Sequence, residues 1–284
     1  MEARTELRPS ALAGMWYPEE PDVLGSLVDR LLAEAPEPNV NGELIALVAP
    51  HAGIKYSGGV AAAAFRQVGE FEPQFVVIVS PLHLPYPGQV FTSGHSAYTT
   101  PLGHVTVARE MLDRLEELLP QGLRMLMLRE DREHSVEIEL PFLQRALRRP
   151  FRLLPLMLGD QTWAVVHPLA QSLAQLPANE RSLLIASSDL SHFYPAQRAT
   201  QFDAELLRRI VDLDPEGVLE AEEHGVGFAC GRGAVATVLS AALRLGANHA
   251  RLLRYAHSGE ITLDDEAVVG YGAVGIYRRS KELA

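Results

Sequence analysis

Glu43-Leu44-Ile45-Ala46-Leu47-Val48-Ala49 and Phe75-Val76-Val77-Ile78-Val79 bracket the stretch whose reading decides the fold. Each is a short aliphatic run, closed by Pro50 in the first case and by Ser80-Pro81 in the second. Consecutive apolar residues imply burial on both faces, the mark of an interior parallel strand. Between them the alanine-rich residues 60–68 predict a helix, since alanine has the highest helix propensity. Residues 50–59 are expected to form the loop before it. Strand, helix, strand in that order is a βαβ unit, which requires a parallel sheet.

The pattern repeats outward. Residues 151–158 and 182–186 read as further buried strands, and residues 251–256 and 268–277 as two closing strands. Helical periodicity marks residues 108–119, 133–147, 163–176, 197–213 and 234–245, with Pro141 as a start or kink and Asp214-Pro215 opening another helix. Residues 89–107, richer in Thr, Tyr, Gly and His, are expected to hold a small antiparallel excursion. No composition break marks a linker. The expectation is one α/β domain over residues 1–284, with a mostly parallel central sheet and helices on both faces.

With 284 residues, 47% hydrophobic and 21% charged, the chain has the length and composition for a large core. Its formal net charge of −11, with no basic run beyond residues 145–149, argues against nucleic acid and against an anionic membrane surface as partners. Residues 1–6 lack the basic-then-apolar layout of a secretory leader, and no apolar stretch reaches bilayer length. The single cysteine gives no sign of an oxidising compartment, so a cytoplasmic location is expected.

In open α/β sheets ligands bind beyond the carboxyl ends of the strands. His51 and His83 each lie just past such an end, and Asp189 and His192 lie past a third. Cys230, in the turn Cys230-Gly231-Arg232-Gly233, cannot form an internal disulfide. It remains a packed residue, a nucleophile or a metal ligand. The following helix N-terminus and Arg232 both favour a thiolate, so Cys230 is expected to be partly ionised. His134-Ser135-Val136-Glu137-Ile138-Glu139 adds an imidazole and two carboxylates. Here His134 reads as an acid/base or as a partner orienting a ligand histidine, while Glu137 and Glu139 read as a solvated helix face. No H-E-x-x-H, G-x-S-x-G, P-loop or complete dinucleotide fingerprint is present.

Read in order, Gly14-Met15-Trp16-Tyr17, Ala49-Pro50-His51-Ala52-Gly53 with Tyr56 and Gly58, Pro81-Leu82-His83, Glu133-His134-Ser135-Val136-Glu137, Ser187-Ser188-Asp189 with His192, Cys230-Gly231-Arg232 and Tyr255-Ala256 resemble the motifs of the Memo family. The resemblance implies a fold similar to class III extradiol dioxygenases, with a cysteine in the place of their ligand glutamate. It implies His51, His83 and Cys230 as metal ligands, and Asp189 and His192 lining the same pocket, His192 as acid/base; a thiolate in place of the glutamate shifts the expected metal toward iron or copper, with zinc as a further candidate. It also implies association with a radical-SAM protein and an Ammecr-type domain as pathway partners. Three functions are carried forward. One is a metal-dependent redox protein or oxidoreductase, with His192, Asp189 and His134 assisting. The others are a peptide- or protein-binding module reusing the cleft, and catalysis by Cys230 as nucleophile.

Overall fold

The computed structural model describes residues 6–38, 41–69, 71–176 and 181–280. Residues 1–5, which carry most of the stretch read for a secretory leader, lie outside them. The element order is β1 (Leu7–Arg8), α1 (Pro21–Glu34), β2 (Glu43–Ala49), α2 (Ile54–Phe65), β3 (Phe75–Pro81), β4 (Val90–Ser93), β5 (Ala97–Thr100), β6 (Gly103–Thr106), α3 (Arg109–Leu118) and β7 (Met125–Leu128). It continues with α4 (Leu140–Ala146), β8 (Arg152–Leu158), α5 (Trp163–Leu173), β9 (Ser182–Ser187), β10 (His192–Tyr194), α6 (Ala196–Val211), α7 (Pro215–Glu223), α8 (Arg232–Arg244), β11 (His249–His257), α9 (Gly259–Thr262) and β12 (Val268–Arg278).

The central sheet runs β10-β12-β2-β9-β3-β8-β4-β7, with β11 also paired to β12. Its four middle strands, β2, β9, β3 and β8, are parallel, while β12, β11 and β4 enter antiparallel. The interior strands are buried almost throughout, which is why they read as unbroken aliphatic runs. Helix α8 packs on β2, β3, β8 and β9 and carries α5 and α7 behind it, whereas α2 packs on β2, β11 and β12 and carries α1 and α4. The result is a mixed α/β fold with a curled central sheet and helices on both of its faces. The antiparallel excursion is the hairpin β5–β6, extended by β1 into a small second sheet.

Two expected boundaries shift. Helix α2 starts at Ile54, so Gly58 and Gly59 lie inside it. A Cβ at Gly58 would stand 2.8 Å from Ile54 Cγ2 and 3.0 Å from Leu31 Cδ1, so glycine here lets α1 and α2 approach closely. The helix expected over residues 133–147 is shorter. Residues 133–136 are irregular, Glu137–Glu139 form one 3₁₀ turn, and α4 begins only at Leu140, with Pro141 in its first turn where no amide donor is needed.

The irregular segment is held in place from the other end of the chain. Arg8 is fully buried and donates from Nε to Asp131 Oδ2 at 2.8 Å, from a terminal nitrogen to the Glu133 carbonyl at 2.6 Å, and to the Glu137 carboxylate. Glu137 also receives the Ser10 hydroxyl at 2.8 Å, the Tyr17 hydroxyl at 2.6 Å, and the amides of Ala11 and Leu12 at 3.0 Å each. Burial opposes its charge, but Arg8 and these donors outweigh it and hold the carboxyl below its usual range. Glu137 and Glu139, expected on a solvated face, are therefore interior groups with no exposed surface.

Replacing Arg8 by Met would leave Asp131 and Glu137 as unpaired buried charges. The expected loss in urea denaturation is about 3–5 kcal/mol, the usual cost of breaking a buried ion pair from one side. A loss below about 1 kcal/mol, typical of exposed pairs, would mean that this network does not anchor the segment.

Candidate metal centre

Strands β2, β9 and β3 are neighbours in the sheet, and their carboxyl ends open side by side. His51 follows β2, His83 follows β3, and Asp189 follows β9. That adjacency brings together residues separated by up to 138 positions in the chain. His51 and His83 face each other edge to face, with ring centroids 5.2 Å apart. His134, from the irregular segment before α4, stacks on His83 at 4.4 Å and meets His51 at 5.4 Å. One ligand nitrogen from each of His51, His83 and His134 lies within 4.8 Å of the other two.

Two of the Nδ1 atoms have hydrogen-bond partners, and the third lies near a carboxylate. His51 Nδ1 is 3.0 Å from Ser187 Oγ, His83 Nδ1 is 2.9 Å from Glu133 Oε1, and His134 Nδ1 is 3.2 Å from the same carboxylate oxygen. His51 and His83 are left with Nε2 as the nitrogen without a hydrogen-bond commitment to these partners. Glu133 also accepts the His83 amide at 2.6 Å, the His134 amide at 2.9 Å, and both the amide and hydroxyl of Ser135. Burial would raise its pKa, but the His83 bonds and the charges of His83 and His134 outweigh burial and bring it to about 2. Its carboxylate is ionised at any physiological pH.

Cys230 Sγ lies 3.1 Å from His51 Nε2, and the Asp189 amide donates to that sulfur at 3.3 Å. The turn fits because residue 231 is glycine. A Cβ there would stand 2.7 Å from the Ser187 carbonyl oxygen and 2.8 Å from Ser188 Cβ. The expected ionisation of the thiol is not found. Burial, followed by the charge of Asp189, pushes Cys230 far up, and Arg232 is paired with Glu222 at 2.5 Å instead of facing the sulfur.

Asp189 Oδ1 accepts the His51 amide at 2.9 Å and the Ala52 amide at 3.3 Å, so it fixes the loop that carries His51. Burial raises its pKa to about 7 against those two bonds. His192 Nδ1 lies 2.8 Å from the Leu190 carbonyl oxygen and donates to it, and burial lowers the ring's pKa. Burial, then the charges of His134 and His83, depress the pKa of His51 against the opposing Glu133, with His192 adding a little, so His51 is neutral. Burial likewise brings His134 down to about 4, with Glu133 opposing and His83 adding to the shift. Trp16 lies against His134, with ring centroids 4.6 Å apart, and its carbonyl accepts the Ile54 amide at 3.1 Å. Thus the Gly14–Tyr17 motif forms part of the site wall.

Three imidazoles with mutually close nitrogens, a thiol 3.1 Å from His51 and one ionised carboxylate beside them are a donor set that fits a divalent transition metal. Ligand atoms about 2.0–2.3 Å from a tetrahedral ion sit about 3.5 Å from each other, close to the His51–Cys230 spacing. Neither Glu133 nor Arg8 stands out in the sequence as a site residue. The only local signal was an acid immediately before His134.

An α/β sheet with a histidine cluster at its strand ends defines an α/β protein with a candidate metal centre. The family model for Memo-like protein matches residues 8–275, and the chain belongs to that family. A "MEMO1 family protein" of Methanosarcina mazei is 35% identical over 95% of this chain and 98% of its own length. One of Thermoplasma volcanium is 34% identical over 94% and 97%. Among solved structures, an uncharacterized protein of Escherichia coli K12 superposes with a TM-score of 0.55 over 81% of this chain and 99% of its own, at 16% identity, a likeness of fold alone. Among the described residues no helix is long and apolar enough to cross a membrane.

A neutral, half-buried thiol reacts slowly. In metal-free protein, alkylation of Cys230 at pH 7–8 is expected to be far slower than for a free cysteine, and to accelerate only well above pH 9, because a raised pKa moves the thiolate to higher pH. Rapid modification at pH 7, followed by mass spectrometry, would show that the sulfur is ionised or exposed.

Proposed function

We propose that the protein binds one iron or copper ion between His51, His83 and Cys230, with His134 as a further imidazole on the His83 side, and acts as a redox protein on a small substrate. The observation supporting this is the cluster of one ring nitrogen each from His51, His83 and His134, with His51 Nδ1 on Ser187 and His83 Nδ1 on Glu133. Charge balance supports it too. A divalent ion, a thiolate from Cys230 and the Glu133 carboxylate sum to zero, which removes the main penalty of charging a buried site. Coordination would supply what the protein lacks on its own, an acidifying charge able to draw the proton from so weakly acidic a thiol.

The bound metal would supply one-electron chemistry and an open position for substrate. The chain's own residues divide the remaining work. Glu133 orients His83 and His134, and Asp189 orients the His51 loop. With Nδ1 committed to the Leu190 carbonyl, His192 offers Nε2 as the atom that takes or returns a proton at the pocket. Trp16 and the imidazole stack restrict water on one side. A nucleophilic role for Cys230 fits less well, since the thiol is neutral and its Sγ is directed at His51.

Elemental analysis of anaerobically purified or reconstituted protein is expected to give one iron or copper per chain. His51→Ala and His83→Ala should abolish it, and Cys230→Ser should weaken copper and zinc more than manganese or magnesium, since only the soft donor is lost. A His51→Ala variant that keeps full metal content would overturn the assignment.

A further inference from the structure

Ser187 and Glu139 lie behind His51 with more hydrogen-bond contacts than one hydroxyl proton can serve. Ser187 Oγ is 2.7 Å from the Ser135 carbonyl oxygen, 2.7 Å from Glu139 Oε1 and 3.0 Å from His51 Nδ1. A serine hydroxyl has one hydrogen and two acceptor lone pairs. The carbonyl oxygen cannot donate, so at 2.7 Å it must receive the hydroxyl hydrogen; otherwise lone pairs face each other. The remaining two contacts then have to be donors toward Ser187. His51 must donate from Nδ1, and Glu139 must carry a proton on Oε1.

The surroundings of Glu139 agree. Its side chain is fully buried, and Oε2 has no hydrogen-bond partner. An ionised carboxylate there would hold half a charge on an unpartnered interior oxygen, whereas an acid leaves only a carbonyl oxygen unpaired. Burial pushes its pKa well up, and the nearby acid Asp189 adds a like charge. On the other side, the Cys230 sulfur is 3.1 Å from His51 Nε2 and 3.6 Å from the Asp189 carbonyl oxygen, so Nε2 is the nearer acceptor for the thiol hydrogen. The bonds then run in a consistent order. Cys230 donates to His51 Nε2, and His51 Nδ1 donates to Ser187. Glu139 also donates to Ser187, which donates to Ser135.

We infer that Ser187, completed by Glu139 as an uncharged carboxylic acid, is the positioning residue that fixes His51 as its Nδ1–H tautomer and keeps Nε2 free for the centre. The assignment builds on the metal-binding reading for its consequence, but its direct readouts need no metal. A histidine in the other tautomer would point an N–H at the ion and could not ligate it until the proton moved.

Two spectra of metal-free protein test it. Nitrogen-15 NMR of histidine-labelled protein, with His51 assigned by its loss in His51→Asn, is expected to show Nδ1 protonated and Nε2 bare at neutral pH. Infrared spectra are expected to show a protonated-acid carbonyl band that disappears in Glu139→Gln. In Ser187→Ala the His51 ring should become a mixture of tautomers, and affinity for zinc or iron(II) should fall by about 10–100-fold, the usual cost of losing a ligand's orienting partner. Ser187→Thr, which keeps the hydroxyl, should restore the single tautomer. An Nε2–H tautomer in the wild type, or no acid band, overturns the inference whether or not Ser187→Ala folds. If both spectra agree and the protein still takes up no metal, the metal-binding reading fails and the tautomer assignment stands.

Discussion

One carboxylate holds the site together. Glu133 accepts the backbone amides of His83, His134 and Ser135 and lies against the Nδ1 atoms of His83 and His134. These bonds tie a loop after β3 to an irregular segment fifty residues later. Because it is ionised and buried, it cannot leave those donors without a large desolvation cost. Everything around it serves to keep it there. Asp131 receives the Glu133 amide at 2.8 Å, and Arg8 neutralises Asp131 while holding the Glu133 carbonyl. The N-terminal segment closes over the result through Ser10 and Tyr17.

The sheet was legible because parallel interior strands bury both faces. The runs before His51, His83 and Asp189 carry no polar interruption, and the ends of such strands are where ligands gather. That put His51 and His83 each past a strand end, and the family resemblance put them in one ligand set. The segment around His134 was not legible in the same way. Glu137-Ile138-Glu139 alternates acid and apolar residues, and on a helix such acids belong in water. Their burial depends on Arg8, Ser10 and Tyr17, more than a hundred positions away, and on Ser187 from β9. Local periodicity contains no trace of such partners. The family resemblance did include this segment, but as a motif without a stated role for Glu133.

Cys230 shows where a local rule gave way to tertiary context. A cysteine before a helix and beside an arginine looks ionised, and the helix N-terminus does lie next to it. Yet Gly231 lets the turn sink against the end of β9, where desolvation and Asp189 outweigh the dipole, and Glu222 takes Arg232 away. The sulfur is thereby kept neutral beside a neutral histidine. Imidazoles and a neutral thiol gathered beside a fixed, ionised carboxylate favour a cation over a small anionic ligand.

X-ray absorption at the metal edge, on protein loaded anaerobically with iron or copper, tests this account most directly. The expected inner shell contains imidazole nitrogens at about 2.0–2.1 Å and one sulfur at about 2.3 Å, the sulfur disappearing in Cys230→Ser. A shell of nitrogen and oxygen alone, identical in wild type and Cys230→Ser, would contradict it.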